Sequence, residues 1–168
     1  MCDVLAICVQ QRKNLTASNF AQFHPSGTLG RRLLLNVRDL MIRGASLPTI
    51  PWNADFSDVI YEISSKGLGL VLLLQEDGSL FGTLTDGDIR RLLERGIDVS
   101  TVTAESCYRL SRRENDLPPV AKGWTTHDSK AIECLRQMQE SQITSLVITE
   151  DDRPVGLIRM QDLVKAGL

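Results

Sequence analysis

Hydrophobic and polar positions along the chain follow the same order of patterns twice. From Leu47, a short extended piece is followed by an amphipathic stretch, two apolar runs and a final amphipathic stretch. The segment from Leu117 repeats this order, and both segments open with Leu-Pro and close on the spacing Gly-x-x-x-x-x-Asp. Such self-similarity predicts two copies of one unit, each built as strand, helix, strand, strand and helix.

The amphipathic stretches of the first copy predict two helices. One begins after Asp55, a favourable capping residue, and ends near Gly67. The other begins after Thr85 and ends at Gly96. The positions predicted to face the core are Val59, Ile60 and Ile63 in the first helix and Ile89, Leu92 and Leu93 in the second.

The apolar runs of the first copy predict strands. Thr49–Pro51 is a short extended piece held between prolines, and the continuous run at 70–75 is typical of a strand buried on both faces. An acidic turn at 76–79 leads into a further strand at 80–84. This order places the second helix directly after the last strand.

The second copy predicts strands at 145–149 and 154–158 around an acidic turn at 150–152. Between the copies, residues 96–116 indicate a polar linker with one short helical turn. Because each copy of about 50 residues buries too little surface alone, we expect an α+β fold in which the copies pack about a pseudo-twofold axis. The helical stripe predicted to face the core of the second copy comprises Ala131, Ile132, Leu135 and Met138.

Composition narrows the classes of partner. The chain has 168 residues, 24% of them charged, and a formal net charge of -2, which offers no overall attraction to nucleic acid or to an anionic membrane. Its apolar runs are far shorter than the roughly 20 residues of a membrane helix. The four cysteines form no Cys-x-x-Cys pair, and neither His24 nor His127 has a neighbour at metal-ligand spacing. We therefore expect reduced, mostly buried thiols, no metal site, and a cytoplasmic location.

The stretch TLTDGDIRR at residues 83–91 carries a hydroxyl and a carboxylate three residues apart, on Thr85 and Asp88. One interpretation is a capping box, in which both side chains satisfy backbone donors of the first helical turn. The other is a ligand site, since a helix N-terminus offers N–H groups and a positive dipole end to phosphate. Local pattern alone leaves both open.

The repeat resembles the cystathionine-β-synthase (CBS) domain, whose pairs form a Bateman module that usually binds adenosine or other nucleotides. The motif that carries the resemblance comprises Gly82, Thr83, Leu84, Thr85 and Asp88. The resemblance implies that Thr85 and Asp88 contact the ribose and phosphate of a nucleotide. It also implies that the chain at Gly69 and Leu70, and at Thr144 and Ser145, approaches the base.

The second copy departs from the motif, because Arg159 stands where the hydroxyl residue is expected, while Asp162 is retained. Two interpretations remain open for Arg159. It reaches a phosphate held mainly by the first copy, or it is an arginine in water at the rim of the site.

Residues 23–41, beginning Phe-His-Pro at Phe23 and including Gly30-Arg31 and Val37-Arg38-Asp39, resemble the junction in bacterial D-arabinose 5-phosphate isomerases. Those enzymes join a sugar isomerase (SIS) domain to a CBS pair. The resemblance implies a C-terminal SIS remnant and linker at 1–36, a first CBS repeat at 37–99, and a linker with a second CBS repeat at 100–168. It also implies that His24 belongs to the isomerase active site.

The expected function is regulatory nucleotide binding within such an isomerase, which converts ribulose 5-phosphate to arabinose 5-phosphate for Kdo, lipopolysaccharide or capsule synthesis. We expect no required cofactor, and an effector that is an adenine nucleotide or CMP-Kdo. Expected partners are a second copy of the chain and the SIS catalytic domain, with no nucleic acid or membrane. Because most of the SIS domain is missing from the sequence, we expect the chain alone to be inactive. The alternative is a structural dimerisation module that binds no ligand.

Overall fold

The computed structural model describes residues 35–111, 124–126 and 128–168. Two 3₁₀ turns, Gly44–Ser46 and Val99–Thr101, accompany the helices and strands of these ranges. The helices of the described residues are α1 Val37–Leu40, α2 Phe56–Lys66, α3 Asp86–Glu94, α4 Ala104–Ser111, α5 Ala131–Ser141 and α6 Met160–Lys165. The strands are β1 Thr49–Pro51, β2 Leu70–Leu74, β3 Leu80–Thr85, β4 Trp124–Thr125, β5 Ser145–Glu150 and β6 Arg153–Arg159.

The strands form two small sheets. The first has the order β1-β2-β3, with β1 parallel and β3 antiparallel to the central β2. The second has the order β4-β5-β6, with β4 parallel to β5. The predicted order of strand, helix, strand, strand and helix is thus confirmed in both copies, as is the α+β class.

The chain divides into two compact units. Unit I contains Thr126–Leu146 and Ile158–Leu168 together with the described residues up to Met41. Unit II contains Ile42–Thr125 and Val147–Leu157. Residues of both sequence copies therefore contribute to unit II.

Strand β2 lies at the centre of unit II and is buried on both faces, as its continuous apolar run predicts. Val71 and Leu73 pack into one cluster with α2, α3 and α4. Leu70 and Leu72 pack into a second cluster that includes Leu157. Burying each such side chain contributes about 1.5–3 kcal/mol, so this strand anchors the unit.

Helix α4 corrects the prediction for the linker, which allowed only one short helical turn. It spans eight residues, and Ala104, Cys107, Tyr108 and Ser111 are buried. These positions follow the i, i+3, i+4, i+7 spacing of one helix face. Polar and charged neighbours obscured that stripe in the sequence. The burial of Cys107 raises the pKa of its thiol, and Cys107 and Cys134 are buried, as expected, and are not joined in a disulfide.

Three side chains predicted to face the core are exposed instead. Ile60 is 38% exposed, Leu93 54% and Ile132 37%. In each helix, a buried neighbour one position away, at Val59, Leu92 or Ala131, already faces the core. A one-residue step turns a helix by about 100°, so the adjacent apolar residue points away. Leu135 is only partly buried, and Cys134 replaces it in the buried stripe.

The predicted helix ends are largely confirmed. Asp55 is the residue before α2, although its side chain makes no capping hydrogen bond, and Gly67 ends that helix with a φ of 61°. Helix α3 ends at Glu94, followed by Arg95 and by Gly96 at a φ of 70°. His24, His127 and the junction residues up to Leu34 lie outside the described residues. Among the described residues, no helix combines the length and apolar character needed to cross a membrane.

Candidate functional site

The first candidate site lies where β3 ends and α3 begins. Thr85 adopts an extended conformation as the residue before the helix, and its hydroxyl oxygen accepts a hydrogen bond from the Asp88 backbone N–H at 3.2 Å. In return, Asp88 Oδ2 accepts from the Thr85 backbone N–H at 2.9 Å and from its hydroxyl at 2.7 Å. The capping box predicted from the sequence is therefore present.

Asp88 is buried, with 3% of its surface exposed, and its second oxygen accepts from Arg91 Nη2. The Arg91 side chain remains 47% exposed. Its guanidinium lies beside the first turn of α3, since a Cβ built at Gly87 would be 3.5 Å from Arg91 Nη1. Asp88 is thus held rigidly by Thr85 and paired with a cation that water can reach.

Gly69 and Leu70 lie beside this junction. The Gly69 carbonyl accepts from the Asp86 N–H at 3.1 Å, and Leu70 is the register partner of Thr85. Gly69 has a φ of 75°, which a glycine adopts without strain. Leu70 is 5% exposed, so backbone rather than side chain is what it can offer a ligand. The structure brings together the four residues predicted for the first copy.

Arg91 is the neighbour that sequence reasoning missed. Its position three residues after Asp88 on a helix was the available signal, since residues at that spacing share a face. The structure also gives a packing reason for the motif glycine, Gly82. A Cβ there would lie 2.4 Å from Tyr108 Cε2, so this glycine admits the aromatic ring of α4 to the core.

The second candidate site lies in unit I, where β6 ends and α6 begins. Arg159 occupies the position before the helix, and its side chain makes no capping hydrogen bond. Instead, Arg159 Nε donates to Asp162 Oδ2 at 2.8 Å and Nη2 donates to Oδ1 at 2.9 Å. The two side chains are only 15% and 18% exposed. Arg159 is therefore paired within the chain and has little contact with water.

Thr144, the residue before β5, and Ser145, the first residue of β5, lie at the same junction of unit I. The Thr144 carbonyl accepts from the Met160 N–H at 2.8 Å. The same contact joins Gly69 and Asp86 in the first copy, so the two junctions share one backbone arrangement. Thr144 is exposed and Ser145 partly buried. The residues predicted for the second copy thus also cluster at one junction.

A solvent-open cavity of about 660 Å³ lies elsewhere in unit II, between the turns that follow β2 and β5. Its lining includes Asp77, Asp151, Asp152 and Arg153 and none of the predicted site residues. Hydrogen bonds from Ser79, chiefly from its hydroxyl, lower the pKa of the Asp77 carboxyl. Among the residues that the structure describes, no group of His, Cys, Asp and Glu is arranged to hold a metal ion. The cavity therefore adds no chemistry to the two junctions.

Comparison with solved structures defines the class of fold. A conserved protein from Pyrococcus horikoshii superposes with a TM-score of 0.64 at 20% identity, covering 80% of this chain and 92% of that one. A CBS domain protein from Pyrobaculum aerophilum complexed with AMP superposes with a TM-score of 0.62 at 16% identity, covering 76% and 89%. The family model of the CBS domain matches residues 124–168. The fold is that of a CBS-domain pair.

Sequence comparison is more specific. An arabinose 5-phosphate isomerase of Pseudomonas aeruginosa is 40% identical over 167 residues, which are 99% of this chain and 48% of that protein. The chain spans about half the length of the curated relatives it matches. It is identified as a tandem CBS-domain chain related to the bacterial arabinose 5-phosphate isomerases.

Proposed function

We propose that this chain is the regulatory nucleotide-binding module of a cytoplasmic arabinose 5-phosphate isomerase. The observation that carries the proposal is the buried carboxylate of Asp88, which Thr85 holds at a strand-to-helix junction of a CBS-type fold. A fixed carboxylate beside a helix N-terminus suits a ligand that combines vicinal hydroxyls with phosphate. A nucleotide has both groups.

Under this proposal Asp88 accepts hydrogen bonds from ribose hydroxyls, and Thr85 with the start of α3 faces the phosphate. The backbone at Gly69 and Leu70 approaches the base. Thr144, Ser145, Arg159 and Asp162 are the corresponding candidates of the second copy. The complex of the Pyrobaculum aerophilum CBS protein with AMP supports the ligand class. The effector proposed here is an adenine nucleotide or CMP-Kdo, and no cofactor is required.

Regulation requires that the ligand favour one arrangement of the module over another, because a ligand shifts an equilibrium only by its differential affinity. In the whole protein, the regulated step is the conversion of ribulose 5-phosphate to arabinose 5-phosphate, for which His24 is the candidate active-site residue. CMP-Kdo is a natural effector for this step, since the isomerase supplies the pathway that makes it. The support for this part is the similarity to the isomerases along 99% of the chain.

Thermal unfolding with and without ligand tests the proposal. We expect AMP, ATP, CMP or CMP-Kdo at about 100 times its dissociation constant to stabilise the chain by about 2.7 kcal/mol. Asp88→Asn, which keeps the shape of the side chain but removes its charge, should abolish that ligand-induced shift. The matched control is Asp58→Asn, an exposed aspartate in the first turn of α2, which should retain the full shift. A shift that survives in Asp88→Asn would contradict the proposed site.

A second candidate function is structural dimerisation without a ligand. Both oxygens of Asp88 already have partners within the chain, and Ile60, Tyr61 and Leu93 expose apolar surface on α2 and α3. If this candidate is correct, no nucleotide shifts the unfolding midpoint. Sedimentation then shows a dimer that Tyr61→Glu weakens. A ligand-induced shift that depends on Asp88 would exclude it.

A further inference from the structure

The two junctions hold equivalent aspartates in different ways. Asp162 is bound by both nitrogens of one guanidinium edge, and both side chains of that pair are largely buried. When the side-chain oxygen of Gln161, rather than its nitrogen, faces the guanidinium, that oxygen also accepts a hydrogen bond from Arg159 Nη2 at 3.0 Å. The oxygens of Asp162 that would face ribose hydroxyls are thus taken by the chain itself.

Asp88 is different, because its arginine lies on the solvent side. The Arg91 side chain is 47% exposed, whereas that of Arg159 is 15% exposed. The Arg91 guanidinium can exchange Asp88 for water from where it lies, and Asp88 then keeps its two hydrogen bonds from Thr85. The Arg159 guanidinium has little contact with water and makes two hydrogen bonds to Asp162, so separating this pair costs more. A ligand can therefore displace Arg91 from Asp88 far more easily than Arg159 from Asp162.

The residue before each helix reinforces the contrast. Thr85 caps α3 through its hydroxyl, and its neutral side chain brings no positive charge to the start of that helix. Arg159 brings a positive charge to the start of α6, where the helix dipole is itself positive. Pairing with Asp162 is what compensates this charge. The charges of Arg159 and Asp162 consequently compensate each other without a ligand.

We infer that Arg159 occupies the second junction in place of a ligand, so that the chain binds a single nucleotide, at Thr85 and Asp88. This inference rests on the proposed function, because it specifies which of the two candidate sites is open. Arg159 is in this view a residue that closes a site and sets the stoichiometry. It does not contact the bound nucleotide.

The decisive variant is Arg159→Thr, which restores the hydroxyl-x-x-carboxylate spacing found at Thr85 and Asp88. Threonine is a good capping residue, so we expect α6 to be retained, which circular dichroism checks. Isothermal titration with AMP, ATP, CMP and CMP-Kdo in turn should then show a second nucleotide bound per chain, where the unaltered chain binds one. The matched control is Arg136→Thr, which removes an exposed arginine of α5 and should leave the stoichiometry unchanged.

Two further variants assign the sites. Asp88→Asn should abolish binding by the unaltered chain and leave one nucleotide bound to Arg159→Thr. Three results would each overturn the inference. The unaltered chain could bind two nucleotides, or Arg159→Thr could bind no additional one. The third is a single site in the unaltered chain that is lost with Asp162→Asn and kept with Asp88→Asn. If the unaltered chain binds none of the four probes and Arg159→Thr binds one, the proposed function fails while closure by Arg159 stands. If neither binds, both fail.

Discussion

At the scale of the residue, Gly82 leaves room in β3 for the ring of Tyr108. A Cβ at this position would lie 2.4 Å from Tyr108 Cε2 and 2.6 Å from Cζ. The ring cannot move aside cheaply, because Tyr108 is 6% exposed and belongs to the main cluster of unit II. We therefore expect Gly82→Ala to lower the free energy of unfolding by about 1–3 kcal/mol, the usual cost of overpacking. Equilibrium unfolding in urea measures this change.

Two variants identify the cause of that loss. Gly87→Ala is the control, because its Cβ would meet only Arg91 Nη1 at 3.5 Å and Thr85 Oγ1 at 3.6 Å. These are ordinary contacts in the first turn of a helix, so its stability should be unchanged or slightly raised. In a Tyr108→Leu background, Gly82→Ala should cost much less. An undiminished cost there would show that the ring is not what the glycine accommodates.

At this scale, the sequence predicts one part of the candidate site, the pairing of Thr85 with Asp88, but not the environment of Arg159. The pairing of Thr85 with Asp88 is local, and the three-residue spacing was enough to predict it. The pairing of Arg159 with Asp162 has the same spacing, but the spacing does not show that both side chains of this pair are largely buried. Burial depends on the packing of distant segments, which no local pattern contains.

At the scale of the element, the equivalent helices α2 and α5 end in the same left-handed conformation with different residues. Gly67 has a φ of 61° after α2, and Gln142 has a φ of 54° after α5. A side chain in this region is strained by its own Cβ, whereas glycine is not. We expect Gln142→Gly to raise the free energy of unfolding by about 0.5–1 kcal/mol, the net of relieved strain and a more flexible unfolded chain.

The reciprocal change serves as its control. Gly67→Ala should lower stability by about 1 kcal/mol, since no neighbouring atom lies within 4 Å of the added Cβ and only the backbone conformation is affected. Thermal and urea unfolding of the two variants should therefore move in opposite directions. Destabilisation by both would mean that Gln142 makes contacts that outweigh its strain.

These helix ends also explain why element boundaries were unequally predictable. Gly67 predicted the end of α2 from the sequence, whereas Gln142, a glutamine, gives no such signal at the end of α5. Helix α4 was missed for a related reason, because its buried stripe includes Cys107, Tyr108 and Ser111 rather than the usual aliphatic residues. Strand β2 was predicted nearly to the residue, since an uninterrupted apolar run has few alternatives.

At the scale of the whole molecule, unit II depends on residues from both sequence copies. Leu157 of β6 is fully buried, and it packs in one cluster with Leu47, Leu70 and Leu72 of the first copy. Its backbone exchanges two hydrogen bonds with Ile42, at 2.8 and 2.9 Å. The first copy is therefore not a self-sufficient folding unit, in agreement with the expectation that one copy buries too little surface.

This dependence predicts how a change in the second copy affects the first. Leu157→Ala should lower the free energy of unfolding by about 2–5 kcal/mol, because it removes a buried side chain and leaves a cavity. Trp52 packs against the main cluster of the first copy, and the chain contains only one other tryptophan, Trp124. In a Trp124→Phe background, Trp52 fluorescence thus reports the first copy alone, and its midpoint in urea should fall together with that of circular dichroism.

Val164→Ala provides the comparison, since Val164 is 59% exposed and surface substitutions usually change stability by less than about 0.5 kcal/mol. If Leu157→Ala left the Trp52 transition where it was while circular dichroism shifted, the first copy would unfold independently and the cluster around Leu157 would not stabilise it. A common shift means that both copies unfold as one cooperative unit. A ligand that stabilises one copy would then also raise the free energy of unfolding of the other. This is the physical coupling that a regulatory module requires.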